Sequence, residues 1–252
     1  LKVLILDQAI LEDTTRTEQL LHFFQEEQDA AWNTYVMVTK EPLKDIFSED
    51  LKLPESLGIY LEDLLEEWED VRQGAQVTVG TLMSQYYSRN ETLCVPVLEI
   101  SDAEEKPQIG GFCVLFGLQP MGELSLREGE QLMLLQNNLK RYAFTMQNGT
   151  RFLLEQVQTE REITAAVDEA GNQYPVLTVT VRGNSTVSAL SWDADQEDQR
   201  QQGKQELADR LLTFLTTQQK EAGMDLANSF LLLAGQERSL WEQYREEPAQ
   251  YL

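Results

Sequence analysis

Leu1-Lys2-Val3-Leu4-Ile5-Leu6-Asp7 opens the chain as a short apolar run, the pattern of a strand buried on both faces. After Leu11-Glu12-Asp13 comes Glu18-Gln19-Leu20-Leu21-His22-Phe23-Phe24, whose apolar residues gather on one helical face. Trp32-Asn33-Thr34-Tyr35-Val36-Met37-Val38-Thr39 then returns as a second strand, rich in β-branched and aromatic residues. This is a β–α–β unit that starts in mid-fold. No initiator Met, basic n-region or signal-type apolar segment stands ahead of it, so further protein is expected upstream.

Beyond this unit the spacing predicts a short helix over 42–48, entered at Pro42, and a longer one over 56–71 after Pro54. Leu57, Tyr60, Leu61, Leu64, Leu65 and Trp68 give the longer helix its stripe. Glu62, Asp63, Glu66, Glu67, Glu69 and Asp70 occupy its other face. Consecutive helix carboxylates fan outward, so a solvated face explains them better than a metal site. One more helix is predicted over 78–89, on Val79, Leu82, Met83, Tyr86 and Tyr87.

The acidic stretch 101–107 ends in Pro107 and reads as a boundary. A strand over 111–116, a turn at Gln119-Pro120 and a helix over 125–137 follow. Ser125 with Glu128 three residues on is a capping-box pattern, which accounts for Glu128 structurally. Segments 151–158 and 161–168 are β-prone, and 174–183 alternates, with Val176, Thr178 and Thr180 opposite Leu177, Val179 and Val181. Gly171-Asn172 is a hairpin signal, so the strands are expected antiparallel with one wet face. An edge of such a sheet would suit another subunit. A long helix is predicted over 195–222 on Leu207, Leu211, Phe214 and Leu215, stopped by Gly223, with shorter helices over 225–234 and 237–245. The expected fold is α+β in about three sections, 1–101, 108–147 and 148–252, with mixed or antiparallel sheets packed on helices.

Composition narrows the function. Of 252 residues 42% are hydrophobic, and no run approaches the roughly 20 apolar residues of a membrane span. The net charge of −23 argues against nucleic acid and anionic lipid headgroups and suits a cationic partner. Cys94 and Cys113 have no metal-type spacing; buried free thiols are the default reading, and a disulfide stays open.

Three segments carry a family resemblance. "LKVLILDQAILED … LLHFFQEEQDAAWNTYVMVTK" resembles the N-terminal domain of the Ger(x)C family, with Gln25-Glu26-Glu27-Gln28-Asp29 at the family's acidic turn but without its Arg-Asp-Pro. Gly110-Gly111-Phe112-Cys113-Val114-Leu115-Phe116 with Met121-Gly122-Glu123-Leu124-Ser125 is similar to the start of its C-terminal germination domain. Ala222-Gly223-Met224-Asp225-Leu226 with Ser239-Leu240-Trp241 resembles its ending, where Ala227-Asn228-Ser229-Phe230 and Arg238-Ser239 depart from the pattern. The resemblance implies the C subunit of a spore germinant receptor, beside an A subunit and an integral-membrane B subunit. It also implies a lipid anchor, upstream of Leu1, at the outer face of the spore inner membrane. Neither Cys94 nor Cys113 follows a signal-type segment, so neither is assigned as the lipidated residue.

No catalytic, cofactor-binding or metal-binding residue stands out, and no cofactor is expected. His22, the single histidine, sits between Leu21 and Phe23 with no triad pattern around it. Gly110-Gly111 precedes a strand, unlike a phosphate loop. The Asn-x-Ser/Thr matches at Asn90, Asn148 and Asn184 are chance in a bacterial chain. The expectation is therefore a non-enzymatic structural or signal-relaying subunit. Its rivals are a module that binds an amino acid or sugar germinant, and a hydrolase using two carboxyls roughly 5–10 Å apart.

Overall fold

The computed structural model describes residues 2–26, 32–48, 51–72, 77–88, 92–101, 103–116, 118–188, 196–220 and 223–246. Helices and mixed or antiparallel sheets together make it α+β. Two compact units divide the chain, Leu1–Gly129 and Glu130–Leu252.

In the first unit a five-stranded sheet runs in the order β1 (Val3–Asp7), β2 (Tyr35–Thr39), β3 (Thr92–Ser101), β4 (Lys106–Phe116), β5 (Gln119–Ser125). The first two pairings are parallel and the last two antiparallel. The β–α–β reading therefore stands, with one addition. Asp7 leaves β1 by capping a short helix, α1 (Gln8–Glu12), its carboxylate accepting from Ala9 N at 3.0 Å, before α2 (Thr14–Glu26) begins.

Helices cover both faces of this sheet, as parallel strands require. On one face Leu6, Val36, Val38, Val95, Cys113 and Leu115 meet Leu11, Phe24 and the stripe of α5 (Val79–Ser88), Val79, Leu82 and Met83. The opposite face sets Met37, Leu98 and Ile109 against Ile46 of α3 (Leu43–Ile46) and Leu61 and Leu65 of α4 (Leu57–Arg72). Glu62 is half-buried while Asp63, Glu66 and Glu67 face outward, the solvated face expected of α4. The acidic stretch 27–29, Asn90 and the side chains of Trp68, Glu69 and Asp70 lie outside the described residues.

Residues 101–107, read from the sequence as a boundary, join β3 to β4, which pair from Thr92↔Phe116 to Ser101↔Lys106. An acidic, proline-ended hairpin turn and an acidic linker share one composition, and only the pairing separates them. Of the stretch 108–147, β4, β5 and the first turn of α6 (Leu126–Leu135) belong to the first unit, and the rest to the second. The turn expected at Gln119-Pro120 falls just before it, where Leu118 takes φ +70, and Gln119 already pairs with Phe116. Ser125 and Glu128 form the capping box: Ser125 N donates to Glu128 Oε2 at 2.8 Å, and Glu128 N donates to Ser125 Oγ at 3.4 Å.

The second unit carries a three-stranded antiparallel sheet, β6 (Arg141–Thr145), β7 (Arg151–Val167) and β8 (Gln173–Ser188), in that order. What reads as two strands over 151–168 is one strand with a register shift between Glu155 and Gln158, where Gln156 takes φ +53. The hairpin turn at 168–172 is closed by Asp168, whose carboxylate accepts from the Asn172 side-chain amide and from the Asn172 and Ala170 backbone amides; those bonds hold its pKa below the usual value. A long helix, α7 (Gln196–Lys220), follows, then α8 (Ser229–Gln236) and α9 (Arg238–Tyr244). Gly223, at φ +64, stands just past α7.

Candidate functional site

Alternation decides the chemistry of the two cysteines. Val95, not Cys94, stands opposite Cys113 in the β3–β4 register, so the two thiols point to opposite faces of the sheet. Both are free. Burial pushes the Cys113 thiol up to about 11 and that of Cys94 higher still. Neutral thiols of this kind are small hydrophobes rather than nucleophiles.

The remaining sequence candidates are likewise dispersed. His22 is exposed on α2. Gly110 and Gly111 sit inside β4, where a Cβ on Gly111 would lie 2.5 Å from the Leu124 carbonyl oxygen of β5; close strand approach, not phosphate binding, explains that glycine. Among the described residues no group of three or more His, Cys, Asp or Glu side chains is placed to hold a metal ion. Partial desolvation and the neighbouring Asp63 raise the pKa of Glu55, but both carboxylates are exposed, Asp63 on α4 and Glu55 just ahead of it. Asp225 caps α8, its carboxylate accepting from Ser229 N at 2.8 Å, Ser229 Oγ at 2.7 Å and Phe230 N at 2.7 Å. Leu240 is fully buried with Ile163 and Leu233, and Trp241 packs against that cluster. The residues that resemble the family's ending thus do structural work.

The surface that the fold does assemble lies between α7 and β8. Gly203, Leu207, Leu211 and Phe214 recur every three or four residues along α7 and are buried. Gly203 lets the helix approach the ring of Phe152, which is itself fully buried. The other side of this stripe, Ala208, Leu212 and Leu215, faces Leu177, Val179 and Val181 of β8 across an apolar groove of about 530 Å³. Leu212 is 65% exposed, a large aliphatic side chain left in water.

The two long edges of this sheet are treated differently. Along β7, beyond its pairing with β6, Thr159 N donates to Asn137 Oδ1 and Ile163 N donates to Gln236 Oε1, each at 2.7 Å. Asn137 holds φ +62 as it does so. These amides point away from β8. Opposite residues of an antiparallel pair either exchange both hydrogen bonds or turn both outward. Val181 and Leu177 stand opposite Thr159 and Ile163, so their amides turn to the far side of β8, and Val179 between them follows by the period of two. Pro175, without an N–H, falls in the same outward set and costs the ladder nothing. Among the described residues nothing hydrogen-bonds the outward amides of Leu177, Val179 and Val181. Side-chain amides cap one edge at Thr159 and Ile163; no described group closes the other, beside the apolar groove.

Residues 1–100 match the profile of the spore germination protein N-terminal domain. The whole chain shares its fold with the crystal structure of the GerBC protein, at a TM-score of 0.72 and 14% sequence identity, covering 100% of this chain and 74% of that one. Over residues 1–100 the chain is thus similar to a spore germination domain, and over its whole length it has the GerBC fold. No curated protein sequence matches it. No described helix is long and apolar enough to cross a membrane. The matched N-terminal domain ends at the close of β3, so the α7–β8 groove lies outside it. Sequence reading recognised alternation over 174–183 and the worth of a sheet edge there. It had no means to find the groove, because Asn137, Gln236 and α7 come from distant parts of the chain.

Proposed function

We propose that the chain is the C subunit of a nutrient germinant receptor, a non-enzymatic structural or signal-relaying component of spore germination. In this reading its partners are an A subunit and an integral-membrane B subunit. A lipid anchor holds it at the outer face of the spore inner membrane. The observation that carries the reading is the spore germination N-terminal domain over residues 1–100, supported by a fold shared along the whole chain with GerBC.

The chemistry of the described residues supports a relay role over a catalytic one. Several described carboxylates have structural roles: Asp7, Glu128, Asp168 and Asp225 cap helices or turns, and Glu62 and Glu123 pair with the exposed Lys2 and Lys40. The α7–β8 groove is apolar and offers few polar groups to an amino acid or sugar.

Deleting the gene while the genes of the other two subunits are retained should abolish the nutrient response of the spores. A normal response would remove the proposal. Calorimetry of nutrient germinants against the purified chain should give no heat; saturable heat would make it the germinant-binding module instead.

A further inference from the structure

We propose that the outer edge of β8 docks an extended segment of a separate polypeptide. The segment pairs as a fourth strand and lays an apolar face into the groove against Leu212 and Leu215 of α7. Three observations converge on this edge. The outward amides of Leu177, Val179 and Val181 have no partner among the described residues, whereas on β7 the amides of Thr159 and Ile163 are capped by Asn137 and Gln236. Proteins normally blunt an edge this long with charge or proline or cover it, and β8, from Gln173 to Ser188, has only Pro175 near its start and the single charge of Arg182. Directly beneath the open amides lies the apolar groove, with Leu212 exposed in it. An incoming strand would satisfy both together, main-chain groups on the edge and alternate side chains in the groove.

Charge selects the occupant. The chain carries −23, so a second copy pairing edge to edge meets long-range repulsion, and a cationic segment is drawn in. Among the described residues no carboxylate lines the groove: the charged residues there are Lys204 and Arg182, and the Arg182 guanidinium is held by Glu160 at 2.6 Å. A basic side chain directed into the groove would therefore be desolvated with nothing to meet it. The partner strand is apolar on the face toward α7 and carries Lys or Arg on the face toward solvent. The inference rests on the receptor-subunit reading for the setting of the partner; the binding itself does not depend on it.

The test is hydrogen exchange on the protein at its natural length, with a short synthetic peptide of alternating valine and lysine as probe. A peptide of the same composition with its lysines in one block is the control. With the alternating peptide the amides of Leu177, Val179 and Val181 should exchange at least about tenfold more slowly. Leu212→Asp, at an exposed position, should weaken that protection about tenfold while the unfolding transition stays in place. Unchanged exchange, or equal protection by the block peptide, would overturn the proposal. So would slow exchange of these amides in the unliganded protein: if it grew with protein concentration a second copy fills the edge, and if not, the protein's own chain does. Because the probe acts on purified protein, failure here leaves the gene-deletion result standing, and a normal nutrient response after deletion would leave this binding intact.

Discussion

Replacing Gly203 by Ala in α7 should destabilise the protein, against the usual direction for such a change. In an ordinary helix interior the substitution gains about 1 kcal/mol, because Ala has the better propensity and the smaller backbone entropy to lose. Here the added Cβ would stand 2.2 Å from Cδ2 and 2.5 Å from Cε2 of Phe152. Carbon atoms in contact want about 3.5–4.0 Å, so the ring must retreat by more than an ångström. It has little room to do so, being fully buried with its centroid 5.3 Å from that of Phe144. Overpacking of this kind costs about 1–3 kcal/mol, which exceeds the propensity gain and leaves a net loss of about 1 kcal/mol. Gly235, on the exposed side of α8, is the internal control: a Cβ there meets nothing within 4 Å, and Gly235→Ala should gain about 0.5–1 kcal/mol. Urea unfolding followed by circular dichroism reads both as shifts in midpoint at constant slope. If Gly203→Ala raised the midpoint as Gly235→Ala does, the close seating of α7 on Phe152, and with it the geometry of the groove, would be refuted.

Two further outcomes follow from the same packing. Glu128→Ala removes the acceptor of both Ser125 N and Ser125 Oγ at the start of α6 and should cost about 1 kcal/mol in urea; no change would mean the capping box is idle. Cys113 supplies a pH dependence: its unfolded thiol ionises near 9.0 and its folded thiol only at about 11. Above the unfolded value the unfolded state has lost a proton that the folded state keeps, so stability is full below pH 9 and falls, by about 1.4 kcal/mol per unit from this group, as pH rises toward 11. Cys113→Ala should flatten the alkaline slope relative to the parent, and an unchanged slope would show that the thiol is not desolvated.

What this sequence determined alone is what depends on neighbours in the chain. The apolar run 3–7, the 3.6-residue stripe of α4, the Ser125–Glu128 box, the 168–172 turn and Gly223 after α7 are local patterns, and each forms where the residues place it. Tertiary structure decided the matters in which distant segments compete for one position. The stretch 101–107 closes a hairpin because β3 and β4 pair up to its ends, Ile100 with Pro107 and Ser101 with Lys106. Residues 151–167 stayed one strand across an irregular step because β8 runs beside both halves. Cys94 and Cys113 were separated by the pleat, which no spacing along the chain reveals. The two edges of the β7–β8 ribbon differ because Asn137 and Gln236 reach one of them and no described group reaches the other. A strand's sequence records which face meets the core, through its period of two, but not what lies beside its backbone, since every residue presents the same amide and carbonyl to either neighbour.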